Sequence, residues 1–265
     1  MKRSSATFVV SVATMLMAAA ACTNFENPTA PGPPQLVVHS ILDTRFDKIV
    51  VLVARARTGV PRAVRGIGED DPISDATVTV RAPNGTVMVV RNDIAPGATY
   101  GPGIYALNPS DSGVRLSDGG TYALHILTKT GEEVSGTTTI PEPPALQQLA
   151  QRLFLRARDT LRLSWPQIAG ARSYEFVIGY QDDVYYRVFT DTNLSLPGTA
   201  VTILGDPVFP GGPSQFFVEA VDVNYYDYYR MESDPFAGAA PSHLTGAVGV
   251  FGSITPILFG ELNVR

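Results

Sequence analysis

The chain has 265 residues, with 20 Lys+Arg against 25 Asp+Glu, a net charge of −5, 45% hydrophobic residues and 17% charged ones. That balance excludes a disordered polyelectrolyte and offers no basic stripe, so no nucleic-acid partner is expected. A single cysteine excludes an internal disulfide, and the fold must therefore be stabilised by apolar burial.

The chain opens on Lys2 and Arg3, runs through an apolar stretch from Phe8 to Met17 and reaches small residues before Cys22. This is the secretory-signal order, and the apolar run is too short to span a bilayer. Ala19, Ala20 and Ala21 directly before the lone cysteine resemble the lipobox of bacterial lipoproteins, with Ala19 standing where that pattern usually has leucine. The resemblance implies a signal peptide over 1–21, cleavage before Cys22, acylation of its thiol and a membrane partnership through the lipid anchor. An ordinary A-x-A cleavage is the alternative. Removing residues 1–21 takes away two bases and no acid, so the mature chain carries −7. Residues 22–35, rich in proline and poor in apolar side chains, read as a disordered tether.

From Leu36 the pattern becomes short β-rich runs broken by turn residues, which predicts an all-β fold of two β-sandwich domains in series, over 36–142 and 145–262. Lys48 to Ala54 is a run of strand length, continuously apolar after the lysine, as in a strand covered on both faces. Ala76, Val78 and Val80 alternate with Thr77, Thr79 and Arg81, and the turn at Asn84-Gly85 returns the chain as a hairpin. Tyr122, Leu124 and Ile126 share one phase of a later strand, and Thr130-Gly131 turns it back toward Val134. The prolines at 141, 143 and 144 stiffen a link between the two blocks. Beyond them, Leu161, Leu163 and Trp165 define one strand. Tyr174, Phe176, Ile178 and Tyr180 define a second that alternates with Glu175, Val177 and Gly179, and Phe216, Val218 and Ala220 define a third. The apolar stretch from Gly246 to Gly260 carries Pro256 and is too short to be a membrane span.

Catalytic patterns are sparse. There is no GxSxG elbow, and Cys22 is committed to the anchor, so no enzyme is expected. His39, His125 and His243 are far apart without zinc-binding spacing, and His125 falls on the solvent phase of its strand. Glu69-Asp70-Asp71 and Asp182-Asp183 lack the alternation of a calcium loop, so neither a metal nor a cofactor is expected, with calcium at these acidic loops the alternative. Paired carboxylates brought together in space, as in a glycan-active hydrolase, stay open as a rival function. The segment least explained by folding is Asn224 to Met231, in which Tyr225, Tyr226, Tyr228, Tyr229 and Arg230 have the composition of a binding surface. The competing reading is an aromatic-rich hairpin whose rings pack across strands or cover the groove between the two domains; as a strand, the segment would turn one pair of tyrosines inward and the other outward.

LSWPQIAGARSYEFVIGY and QFFVEAVD resemble the strands of a fibronectin type III domain, with Trp165 as its core tryptophan. Phe216 stands where that family commonly has the tyrosine of a tyrosine corner. PISDATVTVRAPNGTVMVV and GGTYALHILTKTGEEVSGTTTIPEPP are similar to carboxypeptidase-regulatory-like or transthyretin-like sandwiches. The whole order, ending in AVGVFGSITP, resembles an uncharacterised two-domain lipoprotein family of Gram-negative bacteria often found beside TonB-dependent receptors. That resemblance implies a binding or scaffold lipoprotein at the outer membrane, periplasmic or surface-facing, with such a receptor as partner. A structural, adhesin-like spacer is the third reading.

Overall fold

A computed structural model describes residues 34–46, 48–56, 71–92, 101–143, 146–148, 153–155, 160–180, 183–197, 212–230 and 241–264. The fold is all-β, as expected. In chain order the strands are β1 (Leu36–Asp43), β2 (Ile49–Arg55), β3 (Asp71–Pro72), β4 (Thr77–Arg81), β5 (Val87–Asn92), β6 (Ile104–Leu107), β7 (Thr121–Leu127) and β8 (Glu133–Thr139). They continue with β9 (Gln147–Gln148), β10 (Leu153–Leu155), β11 (Thr160–Ser164), β12 (Ser173–Tyr180), β13 (Asp183–Thr190), β14 (Asn193–Pro197), β15 (Gly212–Val221) and β16 (Val248–Val264). Among the described residues, an α-helix, α1 (Val223–Tyr229), follows β15.

In the first block the alternation read from the sequence sets which face is buried. Val78 and Val80 of β4 are buried between threonines, and the hairpin to β5 closes with Ala82 N donating to Thr86 O at 2.8 Å and Gly85 at φ 86. Tyr122, Leu124 and Ile126 of β7 complete that layer, and His125 between them is exposed. The opposite layer is β1, β2 and β6, and Val38, Leu42, Ile49, Val51 and Val53 pack against Val80, Met88 and Leu124 in one core. The strand joining the layers is β5: Val87 to Val90 pair with β4, while Arg91 and Asn92 pair with β6. A strand that changes layers in this way makes the corner of a sandwich.

In the second block Leu161, Trp165, Tyr174, Phe176, Ile178, Phe216 and Val218 form a separate core. Trp165 is buried edge-on to Tyr174 with ring centroids 5.5 Å apart. Phe216 is fully buried 5.8 Å from Phe176 and makes no corner bond, but Tyr174 supplies a comparable clamp, its hydroxyl accepting from Ile168 N at 2.7 Å.

Strand β16 belongs to both blocks. Val248 to Ile254 run parallel to β1, and from Ile254 onward the same strand pairs antiparallel with β15. The strand order is therefore one continuous path, β13-β12-β15-β16-β1-β2-β6-β5-β4-β7-β8. Phe251 and Leu244 lie in the first core, and Ile257, Leu258 and Leu262 lie in the second.

Candidate functional site

The tyrosine segment is a helix, where a strand or loop was expected. Asp222 caps it: backbone φ −75 and ψ 176 keep it extended, and its side chain accepts from Tyr225 N. Tyr225 and Tyr229, four residues apart, then share one face, with ring centroids 4.4 Å apart. That face lies on the side of β12, β15 and β16 opposite the second core, where Tyr225 packs with Val221 and Ile254. Gly252 permits the approach, because a Cβ there would stand 2.9 Å from Tyr225 N.

Buried charge lies beneath the helix. Glu175 and Glu219 are direct cross-strand partners, and both are buried, at 0% and 5% exposure. Glu175 lies on the face of β12 turned away from the second core, and the helix covers that face as well. Glu175 accepts from the Tyr225 hydroxyl at 2.8 Å and pairs with Arg187 Nε at 3.1 Å. Burial and the nearby Glu175 charge push the Tyr225 hydroxyl well above its ordinary pKa. Arg45 Nη2 reaches Glu219 at 2.7 Å and Asp43 at 2.5 Å, and its guanidinium sits 5.4 Å from the Phe217 ring. Burial pushes the Glu219 carboxyl up, against the pull of Arg45. Glu175 thus has Arg187, and Glu219 shares Arg45 with Asp43, so each buried acid has a cation beside it, which is the condition for a buried charge to be tolerated.

The same helix reaches the first block. His39 on β1 meets the Tyr229 hydroxyl through Nε2 at 2.7 Å. Asp222 accepts from Thr138 Oγ1 at 2.6 Å and from Ser253 N at 3.1 Å, and Asn224 Nδ2 donates to Thr137 O at 2.7 Å and to Phe251 O at 2.8 Å. Ser253 Oγ donates to Thr139 O at 3.0 Å. These bonds join β8, β16 and α1 into one polar seam.

Of the residues singled out by sequence, Tyr225 is buried, Tyr226, Tyr228 and Tyr229 are half-buried, and Arg230 is exposed. Tyr226 lies between Arg172, 4.8 Å away, and Arg230, 5.3 Å away, with Phe189 edge-on at 5.2 Å. Arg230 pairs with Asp227 at 3.3 Å, and Asp227 meets His243 Nε2 at 2.9 Å. Sequence reading missed Glu175, Arg45, Asp43, Glu219 and Asp222. Only Asp222 carried a usable signal, as a capping residue before an aromatic run. Cys22, Glu69, Asp70 and Asp182 lie outside the described residues, and Asp71 is exposed. Among the described residues, no three His, Cys, Asp or Glu side chains converge as metal ligands, and no helix is long and apolar enough to cross a membrane.

The architecture defines a β-sandwich-type, all-β protein whose two cores share one strand. Within that class, the chain belongs to the family described as a domain of unknown function, DUF4249, whose pattern it matches over residues 23–256. No curated protein matches it. A solved structure bearing on host cell surface retention of a 1.5-MDa bacterial ice-binding adhesin is 10% identical. The match covers 88% of this chain and 65% of that one at a TM-score of 0.20, a likeness that carries no argument about fold or function.

Proposed function

We propose that this protein is a lipid-anchored scaffold of the bacterial cell envelope, a binding module rather than an enzyme, held to the outer membrane through Cys22. In this reading the proline-rich segment that follows Cys22 links the anchor to the folded part, and the partner is an outer-membrane receptor or transport protein of the TonB-dependent kind. The observation that carries this reading is the seam at β16 and α1, which makes two β blocks one stiff body. A scaffold needs fixed geometry between its surfaces, and a shared strand plus buried hydrogen bonds supplies it. The neighbouring carboxylates Glu175 and Glu219 favour this over hydrolysis, since both are buried and paired with arginine, whereas a general acid must reach its substrate. Tyr226, Tyr228 and Arg230 keep a solvent-facing side at the seam and are the tyrosine-helix residues available to a partner.

The test is purification of the lipidated protein from detergent-solubilised envelopes, beside a Cys22→Ser variant and fatty-acid labelling of both. The expected result is labelling of the parent alone, with a membrane protein recovered in fixed ratio to it. Equal labelling of both proteins overturns the anchor, and a parent recovered without any partner overturns the scaffold.

A further inference from the structure

The two edges of the first block's outer layer are treated differently. At β8 the exposed edge is capped: Asn224 and Ser253 donate to Thr137 O and Thr139 O, and Thr245 exchanges bonds of 3.1 and 2.8 Å with Ser135. Capping of this kind blocks edge-to-edge pairing. Among the described residues, the corner strand β5 has no such cover over its first half. Antiparallel ladders alternate between pairs that exchange two bonds and pairs that exchange none. Ala82 bonds to Thr86, so the bonded pairs are Val80 with Met88 and Val78 with Val90. Val87 and Val89 therefore turn their N–H and C=O groups to the opposite edge. On that edge pairing with β6 begins only at Arg91, opposite Ala106. Among the described residues, nothing pairs with the edge groups of Val87 and Val89, and their side chains are 48% and 52% exposed.

The opening has a local cause. Continuing the register of β6 would set Asn108 beside Val89, but Pro109 has no N–H and begins a 3-10 turn, Pro109–Ser112, that carries the chain away. What is left is a wedge-shaped cleft of about 670 Å³, with Val87, Val89 and Arg91 on one wall and Leu107, Asn108 and Asp111 on the other. Lys48 also lines it, so the lining carries two cations, Lys48 and Arg91, against one acid, Asp111.

We propose that this cleft is a strand-addition site, in which an extended segment of a partner polypeptide pairs with Val87 and Val89 of β5 and sets a carboxylate against Arg91. The inference rests on the scaffold reading and names how the partner is held. Two residues offer two donors and two acceptors, enough for main-chain recognition of a short strand. The two exposed valines select small or β-branched apolar residues at alternate positions of that strand. A strand added here would lie about 4.8 Å from β5.

The test uses the full chain and a fluorescein-labelled synthetic heptapeptide of alternating valine and threonine with glutamate at both ends, followed by anisotropy and by amide exchange. The expected result is saturable binding that slows exchange at Val87 and Val89. Val89→Pro, which removes one edge donor, should weaken binding at least about fivefold. Arg91→Glu, an exposed change that spares the β5 backbone, should weaken it comparably and more at low salt. Absence of binding, affinity in both variants unchanged from the parent's, or protection confined to other strands overturns the site. If the envelope partner is still recovered with Arg91→Glu unchanged, the edge assignment fails and the scaffold stands. If the peptide binds at β5 but the parent brings down no envelope partner, the site stands and the scaffold fails.

Discussion

Asp222 shows how one side chain connects distant parts of the chain. It caps α1 through Tyr225 N, holds β16 through Ser253 N and accepts from Thr138 on β8. Burial pushes its carboxyl above the ordinary aspartate range, opposed by the hydrogen bonds from Thr138, Tyr225 and Ser253. A raised acid pKa means the fold prefers the protonated form, so its contribution is fullest at low pH and is lost as pH rises through the folded value. Asp222→Asn keeps the oxygen that accepts from Tyr225 N and Ser253 N without the charge, and should match or exceed the parent's stability at pH 7, an advantage that shrinks on acidification. Asp222→Ala leaves Tyr225 N and Ser253 N without this acceptor, while Thr138 keeps Ser253 Oγ, and should cost about 2–3 kcal/mol, read from denaturant midpoints. Equal stability of the Asn and Ala variants would show that the hydrogen bonds contribute nothing.

At the scale of elements, the hairpin of β4 and β5 was legible because alternation and Asn84-Gly85 agree, and Trp165 and Tyr174 read correctly as core for the same reason. Helix α1 was not. Tyrosine favours strands, and seven residues form no stable helix alone, so the cap and the surface beneath it decide the outcome. Glu175 was hidden for a related reason, since the cover on its face comes from residues some fifty positions later in the chain. The open half of β5 depends on a change of layer that no local pattern announces.

The helix separates the tyrosines differently from a strand. Tyr225→Phe with Tyr229→Phe removes hydroxyls bonded to Glu175 and His39 and should cost about 2–4 kcal/mol. Tyr226→Ser with Tyr228→Ser takes away half-exposed rings and should cost less than half as much while reducing partner recovery from envelopes. Thermal melts of both double variants compare them, and equal losses would contradict the helical placement.

His39 gives the same contact a pH signature. Burial holds its imidazole below 6.5, so the unfolded chain takes up the proton first. Its contribution is present above pH 6.5 and is lost as pH falls from there toward the folded value, by at most about 1.4 kcal/mol per pH unit. His39→Gln keeps a polar partner for Tyr229 and removes the titration. The parent should therefore lose stability relative to this variant between pH 7 and pH 5, and parallel pH profiles would contradict it.

For the whole molecule, the sequence reads as two blocks divided at the prolines, whereas the described residues hold two large hydrophobic cores and a smaller cluster of Val221, Tyr225 and Ile254 under α1. What the pattern does not reveal is that the last strand serves both, because a 17-residue run with Gly252 and Pro256 in it looks like an extension. Parallel pairing with β1 on one stretch and antiparallel pairing with β15 on the next turns a chain of modules into one body. Stiffness between the blocks is what a scaffold requires, and it is the property from which the functional reading follows. The most direct measurement is equilibrium unfolding of the full chain in urea, followed at once by fluorescence of Trp165 in the second core and by amide-exchange protection of Tyr122 and Leu124 in the first. A single coincident transition with one midpoint is predicted. Loss of the Trp165 signal while β7 stays protected, or the reverse, would contradict it.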